Sequence, residues 1–148
     1  MRTYKRSEFI DLQPQTVFDF VTNQEKIPAW SPEVVKSEVA TEGPLKPGSK
    51  LRQIRKRGQK EMRTVVEVIA HEPPKTHAVK ARILGVDSTF AFSFNQENGG
   101  TRVQFEAKII GRGFGKLFER PLARMMENAD DKLLERLKSA IGKELTSK

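Results

Sequence analysis

STFAFSFNQENGGTRVQFEAKII, residues 88–110, decides the fold class. Phe90, Phe92 and Phe94 alternate with Thr89, Ala91 and Ser93, the period of two that marks a strand with one buried face. Val103, Phe105, Ala107 and Ile109 alternate in the same way with Arg102, Gln104, Glu106 and Lys108. Between the two runs stands Asn98-Gly99-Gly100, residues that accept the positive φ angles of a tight hairpin. Two antiparallel strands follow, apolar on one side and polar on the other, and the apolar side needs a cover.

Upstream, the same reasoning predicts strands at Val34–Thr41, Lys50–Lys56, Lys60–Ala70 and His77–Leu84, ahead of Ser88–Asn95 and Thr101–Ile110. Gly58 and Gly85 supply turns, and GPLKPG (43–48) and Glu72-Pro73-Pro74 interrupt the run. Val66, Val68 and Ala70 keep the alternation less cleanly. Residues 2–12 form a further strand, stopped before Pro14. Two short helices follow, Gln15–Thr22 and Gln24–Ala29, the second ended by Pro28 and Pro32 around Trp30.

Downstream lies the cover. Phe114, Phe118, Leu122, Met125, Ala129, Leu133, Leu137 and Ile141 step by three and four, one stripe of a long helix. Pro121 sits near the start of its regular part or kinks it. The expected fold is α+β: a seven-stranded curved antiparallel sheet wrapped around a long C-terminal helix, with two short helices after the first strand. No repeat or linker divides the chain, so residues 1–148 are expected to form one domain.

The 148 residues are 36% hydrophobic and 31% charged, enough for a core and far from a disordered composition. Cysteine is absent, which excludes disulfides and thiolate metal sites. No run approaches the ~18 apolar residues of a membrane span, and the N-terminus lacks the apolar core of a signal peptide. A cytoplasmic protein is expected.

The order of elements, one strand, two short helices, six strands and a long helix, resembles the START-like helix-grip superfamily, also called SRPBCC. Within it, the chain resembles the polyketide cyclase/dehydrase and lipid-transport-like group. IDLQPQTVFDFV (10–21), IPAWSPEV (27–34), VVEVIAHEPP (65–74) and GGTRVQF (99–105) carry the resemblance, with the Gly-rich entry to the long helix. These motifs mark a fold and not a reaction, because the superfamily includes lipid carriers, hormone receptors and cyclases. The resemblance implies a cavity between sheet and helix.

In such a cavity, Phe90, Phe92, Phe94, Phe105, Phe114, Phe118, Met125 and Met126 would give apolar contact; the alternative is a filled core. Trp30 either gates the cavity or fastens the short helices to the sheet. Arg55, Thr64, Arg82 and Ser88 are candidate polar contributors. The expected ligand is a hydrophobic or amphipathic small molecule, lipid-like or aromatic. A cyclase/dehydratase-type enzyme would need acid/base groups among the aromatics, and the sequence singles out no catalytic residue.

The net charge of +8 concentrates in Lys50, Arg52, Arg55, Lys56, Arg57 and Lys60, a run without acids. It reads first as a solvated hairpin. As a binding patch it would suit an anionic headgroup or membrane surface, and nucleic acid is not the expected partner. His71 and His77 read as surface histidines and Asp130-Asp131 as a solvated helix face. Gly111-Arg112-Gly113-Phe114-Gly115 reads as a tight turn and not as a phosphate loop. No metal or cofactor is expected, and nothing in the sequence indicates an oligomeric state.

Overall fold

The computed structural model describes residues 1–146. Strand β1 (Arg2–Ile10) leads to α1 (Pro14–Thr22), a 3-10 turn at Gln24–Lys26, and the single-turn α2 (Ile27–Trp30). Six strands follow: β2 (Val34–Val39), β3 (Lys50–Arg57), β4 (Lys60–Glu72), β5 (Thr76–Ile83), β6 (Val86–Glu97) and β7 (Gly100–Gly111). The C-terminal helix runs as α3 (Lys116–Asp130) and α4 (Leu133–Thr146). All neighbouring strands are antiparallel, in the order β1-β7-β6-β5-β4-β3-β2. This is the seven-stranded antiparallel sheet expected from the alternation, in the helix-grip architecture that the resemblance implies.

The β6–β7 hairpin pairs Phe92 with Phe105 and Phe94 with Val103, so both alternating runs face the same way. Its turn residues Asn98 and Gly99 have φ of 47° and 79°, the values a two-residue hairpin loop demands. The imperfect alternation in β4 has a physical cause. The register against β5 shifts between Val68 and Ala70, a bulge that moves the following residues out of phase.

Where one long helix was expected, the Asp131-Lys132 turn divides it. Both aspartates at the break are held by β1. Tyr4 donates to Asp130 at 2.6 Å and Arg6 to Asp131 at 3.2 Å. The Asp131 N–H falls back to Asn128 O at 3.5 Å, a loosened ladder. Pro121 lies inside α3 without breaking it. The carbonyl it leaves without an N–H partner belongs to Leu117, in an exposed turn where water reaches.

The core gathers Leu122, Leu133, Leu134, Leu137 and Ile141 of the C-terminal helix against Val103, Phe105 and Ile109 of β7. A smaller apolar cluster, Leu51, Val66, Val68 and Ala81, lies under β3–β5. Gly115 fastens the turn before α3 to the β5–β6 turn. A Cβ built on it would sit 2.2 Å from the Gly85 carbonyl oxygen. The Gly-rich segment is therefore a packing contact between two backbones. Gly115→Ala is expected to lower stability by about 1–3 kcal/mol, as overpacking does, read from the urea midpoint; an unchanged midpoint would disprove the contact.

Candidate functional site

The inward-facing residues of β3–β7 do not fill the space under the helix. They wall a cavity of about 540 Å3, within the range of small-molecule sites. Phe90, Phe92 and Phe105 form one side. Phe92 and Phe105 lie 5.0 Å apart between centroids, and Phe90 stacks on Phe105 at 6.1 Å. Trp30 enters from α2 and meets Phe92 edge-on at 5.8 Å. Met125 and Met126 face them from α3. The Trp30 indole N–H is buried with no hydrogen-bond partner among the described residues.

One end of this apolar space is polar. Inward alternation on β3 presents Leu51, Gln53, Arg55 and Arg57. Arg55 donates to Gln53 Oε1 at 3.1 Å, Gln53 to Ser37 Oγ at 3.2 Å, and Ser37 to Gln24 Oε1 at 2.6 Å. Desolvation lowers the Arg55 guanidinium below its ordinary range, while the charges of Asp130 and Glu33 work against that shift. Across the cavity, burial raises the Asp130 carboxyl, although the Tyr4 hydrogen bond and Arg55 oppose the rise. Burial, and then the neighbouring Asp130, push the Tyr4 phenol well above its ordinary range. At the mouth Arg57 donates to Glu33 at 2.9 Å and also contacts the Met125 sulfur.

His77 is the other polar group on the wall, and its burial corrects the surface reading. The β4–β5 register sets His71 opposite His77, with Nδ1 atoms 3.1 Å apart. His77 is 5% exposed, faces the cavity with Val79 and Ala81, and meets the Phe18 ring. Desolvation, helped by His71, pushes it down to about 4. The short Nδ1 contact needs one ring to donate and the other to accept.

The sequence-selected residues divide. Trp30, Thr64, Phe90, Phe92, Phe105 and Met125 come together on the cavity wall. Phe94, Phe114 and Phe118 lie off it. Phe94 is 2% exposed and packs on Phe18 of α1, 5.4 Å between centroids, in filled core. Phe114 is 89% exposed, and Phe118 is also exposed. The apolar stripe turns inward only from Leu122, because residues 113–115 form a 3-10 turn with a different phase. Arg82 is on the exposed face, and Ser88 is buried with Oγ 3.7 Å from the Met126 sulfur.

The basic run is likewise split by strand alternation. Arg55 and Arg57 join the cavity, while Lys50 pairs with Glu67 at 2.5 Å and Arg52 with Glu38 at 3.7 Å. Only Lys56 and Lys60 remain at the hairpin end, by the cavity mouth. Arg55, Lys56, Arg57 and Lys60 thus all line the cavity or its mouth, and Lys50 and Arg52 lie apart from it, each beside a glutamate. Asp130 departs from the solvated-face reading in the same way: it turns inward, and Asp131 alone stays exposed. Its signal was available, since Met126, Asp130 and Leu134 fall four apart on one helix face. His77 was equally legible, two residues before Val79 and four before Ala81.

Among the described residues no group of three or more His, Asp or Glu side chains is placed to hold a metal ion. No helix among them is long and apolar enough to cross a membrane. In sequence, residues 1–142 match the model of a family described as polyketide cyclase / dehydrase and lipid transport. The chain belongs to this family. No curated protein sequence matches it significantly.

Solved structures show how widely the fold of this polyketide cyclase/dehydrase and lipid transport member recurs. Ara h 8.0201 is 14% identical, with 95% of this chain and 97% of that one covered and a TM-score of 0.75. TTHA0849 from Thermus thermophilus is 17% identical over 95% and 97%, with a TM-score of 0.73. The di-domain ARO/CYC BexL of the BE-7585A biosynthetic pathway is 18% identical over 95% of this chain but 50% of its own, with a TM-score of 0.73. At these identities the likeness concerns the fold.

Proposed function

We propose that the chain binds an amphipathic small molecule, with its apolar body against Trp30, Phe90, Phe92 and Phe105 and its oxygen-bearing end at Arg55. The observation that carries this reading is the cavity of about 540 Å3, aromatic on one side, with a desolvated guanidinium at one end. An apolar space of that size gains energy when a hydrophobic body displaces water from it. Arg55 gives direction, because its fork of N–H donors suits a carboxylate, sulfonate or ketone oxygen. Arg57, tied to Glu33 and Met125, stands at the mouth where a ligand would pass.

Trp30 is the chain's only tryptophan and lines the cavity, so its emission reports occupancy. Titration with anilinonaphthalene sulfonate should quench Trp30 by energy transfer to the probe. Arg55→Gln should weaken this anionic probe by about tenfold, the value of one charge-assisted hydrogen bond. It should leave the neutral phenylnaphthylamine nearly unaffected. Absence of energy transfer from Trp30 to either probe would end the proposal.

A second reading is favoured by Asp130. A carboxyl raised by burial, hydrogen-bonded to a phenol and on the wall of an apolar cavity, is an acid/base group of the kind a cyclase or dehydratase uses. Mass spectrometry of molecules that copurify with the protein separates the two readings. A ligand recovered unchanged supports binding, and one that loses water on the protein supports the enzyme.

A further inference from the structure

Phe114 is 89% exposed and Leu117 75% exposed, so neither serves the core. Phe118 is the next residue and also exposed; Leu117 and Phe118 lie in the first turn of α3, and Phe114 in the 3-10 turn just before it. The β5–β6 turn adds Leu84, 64% exposed. Backbone contacts fix that turn beside them. The Arg112 N–H donates to Gly85 O at 3.1 Å, and Gly85 touches Gly115.

Cations surround these side chains. Arg112, Lys116, Arg120 and Arg124 are all exposed. The acids nearby are turned inward and paired. Asp87 accepts from Arg112 at 2.9 Å, with Arg82 at 3.7 Å. Glu119, the only acid in residues 112–126, accepts from the Gly111 N–H at 2.9 Å and pairs with the Met1 ammonium at 2.9 Å. The exposed charge of residues 112–126 is therefore mainly positive, carried by Lys116, Arg120 and Arg124.

We infer that this end of the molecule docks on the surface of an anionic lipid bilayer. Phe114, Leu117 and Leu84 enter the interfacial layer, and the surrounding cations meet the lipid phosphates. Exposed aromatic and aliphatic residues within a basic helix face are what an interfacial site requires. Attraction to anionic headgroups adds to the apolar burial. A second copy of the chain fits worse, because a twofold contact would set this positive ring against itself. Nucleic acid would use the cations but leave Leu84 and Leu117 in water. Leu84 and Met125 also edge the cavity, so docking brings its rim to the bilayer. The inference does not depend on what the cavity holds.

Flotation of the full chain with vesicles tests it. Phosphatidylcholine vesicles containing phosphatidylserine should carry the protein up, and pure phosphatidylcholine should carry far less. The double variant Phe114→Ser/Leu117→Ser should bind the anionic vesicles about tenfold or more weakly, with an unchanged thermal midpoint because both residues are exposed. Lys116→Gln/Arg120→Gln/Arg124→Gln should also weaken binding and remove its salt dependence. No flotation with anionic vesicles would overturn the inference. So would flotation that the double serine variant leaves intact, since the contact would then be charge alone. Self-association in ultracentrifugation that the same variant abolishes would assign the patch to a second copy instead.

Discussion

A chain ending at Arg112 is expected to show no cooperative unfolding transition in calorimetry. The segment it lacks carries Leu122, Leu133, Leu134, Leu137 and Ile141, each at most 8% exposed and all in the main core. Fully burying one such side chain is worth about 1.5–3 kcal/mol. Five together are worth about 8–15 kcal/mol, against a net stability of ~5–15 kcal/mol for a typical domain. Their loss also leaves Val103, Phe105 and Ile109, all on one face of β7, open to water. A sharp heat-absorption peak from the truncated chain would show that the sheet holds itself together and would refute the helix's role as its cover. The effect belongs to these inward positions and not to the helix stripe as a whole. Phe118, a member of the same three-and-four stepping, is 43% exposed and contributes little to that cover.

The sheet was legible because its signal is redundant. Alternation, a turn pair at Asn98-Gly99 and polar outer faces agree over β6 and β7, and a one-residue slip would reverse every side chain. The cavity wall was partly legible for the same reason, since Phe90 and Phe92 follow from period two. Phe94 shows where that reasoning stops: it shares their face but lies further along β6, under α1, where the space is filled. Periodicity gives a face and not a position along it. Phe114 failed differently. Its spacing from Phe118 fits a helix, but Gly113 at φ 58° and the 3-10 turn break the phase before the helix begins. The basic run is contiguous in sequence but not in space, because a strand sends alternate residues to opposite faces: Lys50 and Arg52 point away from the cavity that Arg55 and Arg57 line. Asp130 and His77 were passed over because their residue types favour solvent. Their phase, in step with Met126 and with Val79, placed them inside.

His77 sets the other large effect. In the folded protein it is pushed down to about 4, against 6.5 for a free side chain. Between these values the unfolded chain carries the extra proton and the folded chain does not. Stability therefore rises with pH across this window and is lost as the pH falls through it. The full shift corresponds to about 3 kcal/mol between neutral pH and pH 4. Urea unfolding of the wild type at pH 7 and pH 4 should show a loss of that order, reduced by the raised Asp130 carboxyl, which favours the fold as pH falls. His77→Leu keeps apolar volume at a buried position but removes the titrating group, so its stability should fall by about 3 kcal/mol less over the same interval. His71 is half-exposed and can turn to water when its partner goes. Carboxylates lowered by exposed partners, such as Glu67 and Glu106, act in both proteins alike and cancel in the comparison. Parallel losses in wild type and variant would mean that His77 takes up its proton in place, which the Nδ1 contact with His71 and the aromatic surroundings oppose. A smaller loss in the variant places the acid sensitivity of the fold on the cavity wall. There a protonated imidazolium would face an apolar space that cannot solvate it.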